Sequence, residues 1–595
     1  MGGFVLLHTA AGEDRVRAQA AALATFARMG MPAPRMIQGE NFVLAVYPKR
    51  QASEPAFEQF PNGDFVCACG TLIYENMAGK AAATAFYRHC VEGTVPRDKA
   101  FGHYAVILRK NGRTEIITDG FSGFLVFYDA ERRIASSSFL AIASALDRVT
   151  LDIQGAYEYV LNGVVSGNET VFEEILLAPI GATIAVDEQR LVIRQQRAAR
   201  PTKIAREPFE ATVERSMQLL DQYFAAVRAS FGDRVTCALS GGYDSRLILA
   251  LLRRHGIKPR VYVYGPPGDK DVSLARAIAD GEGFALEVVD KDKELAVVPS
   301  EFGAVASDNF LASDGYTWAG IFTNGAERAQ RASRVSGNAL ALNGGGGEIW
   351  RNFFYLPDRA YRPREILWSF YSQFDPKTCT SAFDQEAYFR WLEYKLDELL
   401  GLSFRLLPRP LVEWLYHSFR CRAWDGRVNN INNTYGHVAL PFLERGVTDH
   451  ASVIPIAWKN HGAFEAELVR RADPRLASYP SGYGHDFSRP PPLARRLVDY
   501  GTYLRPPWSR RYAYRVKNRF RHSRKFPEYL RQEYVDAALP GGPQIMNKLF
   551  YIDRVTDHAQ RARILSLEYL LRQFDGRIRV DSHHSFVQGE KKCAA

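Results

Sequence analysis

Apolar and polar positions alternate through much of residues 65–192, with turn signals between the runs, and this period of two predicts sheet. Ala105-Val106-Ile107-Leu108 and Thr114-Glu115-Ile116-Ile117-Thr118 flank Lys110-Asn111-Gly112, a hairpin signal. Leu125-Val126-Phe127-Tyr128 and Ile134-Ala135-Ser136 flank a polar turn around Asp129. Helix-period stretches at 13–29 and 80–90 are expected to cover these sheets, which makes the first domain a layered α+β unit. Apolar periodicity lapses over 197–208, the expected linker. The pattern then changes class. Residues 212–231 read as a helix, 234–239 as a short buried strand, 246–254 as a helix stopped at Gly256, and 260–264 as another strand. Strand, helix and strand at this spacing predict a parallel crossover and a doubly wound sheet. Beyond Pro363 the chain reads as mostly helical with aromatic-rich faces, broken by Arg489-Pro490-Pro491-Pro492. The expected division is 1–200, 208–490 and 491–595.

A length of 595 residues agrees with about three domains, and 46% apolar with 24% charged residues is ordinary globular usage. No stretch reaches the roughly 18–20 apolar residues of a membrane span, and Phe4-Val5-Leu6-Leu7 lacks a basic leader and is soon followed by Glu13, Asp14, Arg15 and Arg17. Leu6 stands where a myristoylation motif on Gly2 needs Ser or Thr. Neither membrane nor secretion is expected. The cysteines at 67, 69, 90, 237, 379, 421 and 593 are an odd, scattered set of seven, which suits a reducing cytoplasm rather than a disulfide framework or a zinc site. Cys67 and Cys69 alternate on an expected strand, with one thiol placed toward the core.

The net charge of +10 is local, because Arg505, Arg510, Arg511, Arg515, Lys517, Arg519, Arg521, Arg524 and Lys525 follow one another with no acid between. This segment is read as a solvated helix face, with a surface for a polyanion or acidic peptide as the alternative. A nucleic-acid partner is not expected.

The residues richest in chemistry are Val235 to Arg246, reading VTCALSGGYDSR. They lie where a strand ends and a helix begins. There Ser240, Gly241, Gly242 and Ser245 offer backbone amides and hydroxyls to a phosphate, and Asp244 sets a carboxylate beside that anion, an arrangement that calls for a cation such as Mg²⁺. The Gly-Lys-Ser/Thr phosphate loop is absent.

Ser-Gly-Gly-x-Asp-Ser resembles the signature of the pyrophosphatase-loop enzymes, and the chain resembles their asparagine synthetase branch. Asp119-Gly120-Phe121-Ser122-Gly123, Ala135-Ser136-Ser137-Ser138 and the stretch from Gly163 through Gly181 are similar to that family's glutaminase-type domain. Asn343-Gly344-Gly345-Gly346-Gly347-Glu348 is similar to its second nucleotide and metal loop, and Leu440-Pro441-Phe442-Leu443-Glu444 to its helical core motif. The resemblance implies an αββα-type first domain, then a doubly wound ATP-pyrophosphatase domain with a large helical extension. It implies ATP held by Leu239, Ser240, Gly241, Gly242, Asp244, Ser245, Tyr264, Gly345 and Gly346, Mg²⁺ held by Asp244 and Glu348, and these two carboxylates as catalytic residues.

Three departures matter. Gly2 and Gly3 follow Met1 where glutamine-using members place a nucleophilic Cys, so no thioester with glutamine is expected. Gly347 stands where an Asp usually precedes the Glu. The lysine many members present later is missing from Tyr479–Phe487, where Tyr483 or His485 is the candidate replacement. Members without the Cys join a carboxylate to an amine of the substrate, as β-lactam synthetases and lasso-peptide cyclases do. The leading expectation is therefore an ATP-dependent ligase that adenylates a carboxylate for attack by an amine, with a precursor peptide as the favoured substrate. Ammonia-dependent amidation of a small acid or sugar acid and a nucleotide-binding scaffold without turnover are the alternatives, ahead of tRNA modification.

Overall fold

The computed structural model describes residues 1–9, 14–52, 54–91, 94–196, 200–401, 405–521 and 526–580, side chains at 14, 294 and 517–521 excepted. The chain is mixed α/β. It begins with two six-stranded antiparallel sheets, ordered along their edges as 175–177, 127–129, 134–136, 3–8, 42–47, 35–38 and as 191–195, 182–186, 113–118, 104–110, 65–70, 57–59. Side-chain alternation sorts each strand between two environments. Phe4 and Leu6 join Phe65, Cys67, Cys69, Ile107 and Ile116 in a core between the sheets. Val5 and Leu7 turn the other way, onto Ala18, Ala22 and Phe26 of the helix Asp14–Arg28. Val66 and Ala68 turn onto Ala82 and Phe86 of the helix Gly79–His89.

The strand Gly3–His8, not expected from the sequence, is buried along its whole length, because Phe4–Leu7 is the uninterrupted apolar run of a strand covered on both faces. One expectation is corrected. Cys67 and Cys69, two apart on one strand, both face the same core rather than dividing between faces. The expected hairpins pair as Thr114↔Arg109 and Phe127↔Ser136, the second closed by Asp129, which accepts the Arg133 and Ile134 amides at 2.7 and 2.5 Å. Residues 197–199 of the expected linker lie outside the described residues.

The second half holds a five-stranded, wholly parallel sheet in the order 286–289, 260–264, 235–238, 340–342, 437–439. Numbered along the chain this is 3-2-1-4-5, so strand order reverses between Val235–Ala238 and Leu340–Leu342. The crevice beyond the carboxyl ends of such a pair is where open parallel sheets receive ligands. The last strand docks on the first domain: Lys49 Nζ donates to Asn433 Oδ1 at 2.9 Å and Gly436 O at 2.6 Å, and Glu444 accepts the Gly102 amide at 2.7 Å. The stretch past residue 491 folds back on both halves. Strand Ile578–Arg579 pairs parallel to Val149–Thr150, and Arg563 Nε donates to Val160 O at 2.9 Å.

Candidate functional site

Two loops leave the reversal point. The first, Leu239–Gly242, enters the helix Tyr243–Arg254 with Gly242 at its N-cap, so the helix begins three residues earlier than expected and Asp244 and Ser245 sit in its first turn. Leu239 is buried, its amide donating to Tyr262 O at 2.8 Å. Ser245 Oγ accepts the Ser240 amide at 3.0 Å and lies 2.9 Å from Ser240 Oγ, which takes the Gly242 amide at 3.2 Å. The Gly241 amide donates to Asp271 Oδ1 at 2.9 Å, so a carboxylate already rests on one of the amides expected to meet phosphate.

The second loop, Asn343–Gly346, leads into the short turn Gly347–Trp350 and packs directly on the first. A Cβ at Gly344 would lie 3.1 Å from Asp244 Cβ, and one at Gly347 would lie 2.0 Å from Asp244 Oδ1. Glycine at 347 therefore has a steric cause: the Asp244 carboxylate occupies the space a side chain would need.

Arg351 binds the two loops together. Its guanidinium donates to both Asp244 oxygens at 3.1 and 3.0 Å and to Tyr483 OH at 3.0 Å, and lies 2.9 Å from Glu465 and 3.7 Å from Glu348. Glu348 Oε2 in turn accepts the Tyr416 hydroxyl at 2.6 Å. Three carboxylates thus surround one cation. Burial pushes the Asp244 carboxyl up, Arg351 opposing it and Glu348 adding to it. Glu465 is raised well above its ordinary range by burial and by the Asp244 charge. Burial works against the Arg351 charge, yet Asp244 and Glu465 hold it protonated well above its usual value. Beneath the second loop, Asp425 would stand 2.8 Å from a Gly345 Cβ, and burial and Glu348 push its carboxyl up to about 7.

Ser240, Gly241, Gly242, Asp244, Ser245, Gly345, Gly346 and Glu348 are thus gathered at one place. Tyr264 stands at the end of the neighbouring strand inside a cationic cluster, hydrogen-bonded by Arg334 and with Lys291 Nζ 3.5 Å from its ring centroid. Of the two candidates for the missing lysine, Tyr483 reaches the site through Arg351, whereas His485 stands behind it, 3.2 Å from Tyr243 OH. Sequence reasoning missed Arg351, Glu465, Asp425 and Asp271. Only Arg351 left a signal, three residues after Glu348 and so on the same side of a tight turn.

Glu348, Arg351 and Tyr483 form one wall of a cavity of about 1310 Å³. Phe353, Phe354, Tyr355 and Phe370 give it an aromatic side, and Arg505, Arg510 and Tyr514 close it from the basic segment. Arg510 turns inward, bonding Phe354 O and Tyr355 O, each at 2.5 Å. The helix Pro507–Arg521 is therefore not the simply solvated face expected; one side of it is cavity wall. Asp119 and its surroundings have structural duties. Asp119 accepts the amides of Phe121, Gly123 and Phe124, each at 3.0 Å, and Asn430 takes the Leu125 amide at 2.7 Å. A Cβ at Gly3 would meet Ser137 Oγ at 3.0 Å and Phe26 Cε1 at 3.2 Å, so the first strand begins against packed neighbours.

No protein-family model matches the chain, and no curated protein matches it. Among solved structures it is similar to the allosteric regulatory enzyme of purine biosynthesis, at 9% identity and a TM-score of 0.23 over 48% of this chain, spanning 64% of that one. It is also similar to glutamine phosphoribosylpyrophosphate amidotransferase from B. subtilis, at 10% identity and a TM-score of 0.21 over 58% of this chain and 77% of that one. Likeness at this level carries no argument about activity.

Proposed function

We propose that the protein is an ATP-dependent amide-forming ligase, resembling asparagine synthetases that have no glutaminase chemistry. The supporting observation is the convergence of the Ser240–Ser245 and Asn343–Glu348 loops at the strand reversal of a parallel sheet, with Glu348 at the end of the second loop lining a cavity of about 1310 Å³. Mg²⁺ with a nucleotide takes one or two carboxylates and completes its shell with phosphate and water, and Asp244 and Glu348 are two such groups, with the Arg351 guanidinium between them as the cation that Mg²⁺ would displace. Those two side chains would hold the ion, which supplies charge neutralisation on the phosphates, and Leu239–Ser245 would hold the phosphates. ATP enters as a co-substrate. A substrate carboxylate oxygen attacks the α-phosphorus and pyrophosphate leaves; an amine then attacks the acyl carbon, the C–O bond to AMP breaks and the amide forms. In this second step, once pyrophosphate has left and Glu348 is no longer needed beside the phosphates, Glu348, facing the cavity and oriented by Tyr416, takes the amine proton. A substrate with a carboxylate and an amine on one chain, such as a precursor peptide, suits the size of the cavity.

A second reading, a nucleotide-binding scaffold without turnover, draws on the Arg351 clamp and on Asp271 at the Gly241 amide. Pyrophosphate release across a panel of carboxylates, amines and precursor peptides separates the two. Release that depends on substrate and is lost in Asp244→Ala supports the ligase. Nucleotide binding with no release on any substrate selects the scaffold.

A further inference from the structure

The helices Leu493–Tyr503 and Pro507–Arg521 carry large apolar side chains where water should be. Leu493, Leu497, Val498, Leu504, Trp508, Tyr512 and Val516 are between 45% and 77% exposed. Spacings of four place Leu493 and Leu497 on one face of the first helix, and Trp508, Tyr512 and Val516 on one face of the second. The opposite faces are anchored: Tyr503 OH accepts the His461 amide at 3.2 Å, Tyr514 OH donates to Asp557 at 3.0 Å, and Arg510 holds the 354–355 backbone. The apolar stripe thus points away from the protein on helices fixed from behind.

Its charge has a single sign. Between Asp499, which is buried, and Glu528 the sequence has no acidic residue and nine basic ones. Arg511 lies over the Tyr512 ring at 4.7 Å and Arg515 at 5.4 Å, so cations flank the stripe. We propose that this stripe docks the protein peripherally on an anionic lipid surface. Apart from Val516, which edges the large cavity, these side chains project from the two helices, and a fluid bilayer needs no shaped recess to receive them. Trp and Tyr favour the headgroup level, Leu and Val the acyl boundary, and Arg the anionic heads. Among the described residues no helix is long and apolar enough to cross a membrane, so the contact is one of lying on the surface. Because Thr502, Arg505 and Val516 also line the large cavity, docking sets its mouth at headgroup level.

The test is co-sedimentation of the full chain with vesicles of phosphatidylcholine alone or with 30% phosphatidylglycerol, at about 0.1 M and 1 M salt, where the Debye length falls from about 10 to about 3 Å. Binding to the anionic vesicles only, with a blue shift of tryptophan emission that Trp508→Phe removes, is the expected result. The double variant L497D/L504D changes two exposed positions and should keep the wild-type unfolding midpoint while losing at least tenfold in partitioning. No binding to anionic vesicles overturns the proposal. So does salt-sensitive binding that the double variant leaves unchanged, which is plain charge adsorption. Tight binding of poly-L-glutamate, with none to vesicles, would make the surface a site for an acidic polypeptide instead.

Discussion

Gly347→Ala is the smallest change that tests the packing of the two loops. The added carbon would lie 2.0 Å from Asp244 Oδ1, 2.7 Å from its Cγ and 2.9 Å from its Cβ, against an ordinary contact of about 3.5 Å, so the carboxylate must move by more than an ångström. The Arg351 bonds to both Asp244 oxygens cannot survive that movement. Overpacking costs about 1–3 kcal/mol and loss of a charge-assisted hydrogen bond about 1.5–3 kcal/mol, while alanine gains up to about 1 kcal/mol over glycine in a helical turn. The net expectation is a destabilisation of about 2–5 kcal/mol. Urea unfolding followed by tryptophan fluorescence reads it, with fully buried Trp350 three residues away as a local reporter. In an Asp244→Ala background the offending oxygens are gone and at least half the cost should vanish, a coupling of 1 kcal/mol or more. A wild-type midpoint for Gly347→Ala, or an identical cost in both backgrounds, would mean that the Asp244 carboxylate does not fill that space.

Asp425→Asn should stabilise the protein at pH 8 and leave it unchanged near pH 4. The folded carboxyl, raised to about 7, binds its proton more tightly than the unfolded one near 3.8, so wild-type stability falls as pH rises through that window, by about 2–4 kcal/mol from this group; a melting profile in which the variant runs parallel to wild type across the window rejects the assignment. Lys395→Met should cost about 3–5 kcal/mol, because Lys395 lies 2.9 Å from Glu158 and both are fully buried, leaving an unpaired carboxylate; Glu158→Gln combined with it should recover part of the loss. The purified protein should release no glutamate from glutamine, since Gly2 and Gly3 offer no nucleophile and Cys67 and Cys69 are buried between sheets; turnover above background that survives removal of contaminating amidases would overturn this.

The local parts of the site were legible before the structure and the long-range parts were not. Ser240 to Ser245 announces itself because glycines and hydroxyls fall where a strand pattern hands over to a helix pattern. The first strand was overlooked because Phe4–Leu7 shows no alternation, the mark of burial on both faces. Glu465, in the helix Ala463–Ala472, and Asp425, in Arg422–Asn433, reach the site only through a long-range return of the chain, and nothing in their neighbours sets them apart from surface carboxylates. The basic segment read as one face in the sequence, yet Arg510 and Trp508, two residues apart, turn to opposite duties, the one anchored inward and the other exposed.

Calorimetric titration of the protein with ATP, in Mg²⁺ and in chelator, tests the central claim that the loop at the strand reversal is a nucleotide site. Mg²⁺-dependent binding with one ATP per chain, weakened at least tenfold by Asp244→Ala, is the expected result. Absence of binding, or binding of equal strength in wild type and Asp244→Ala, would contradict it.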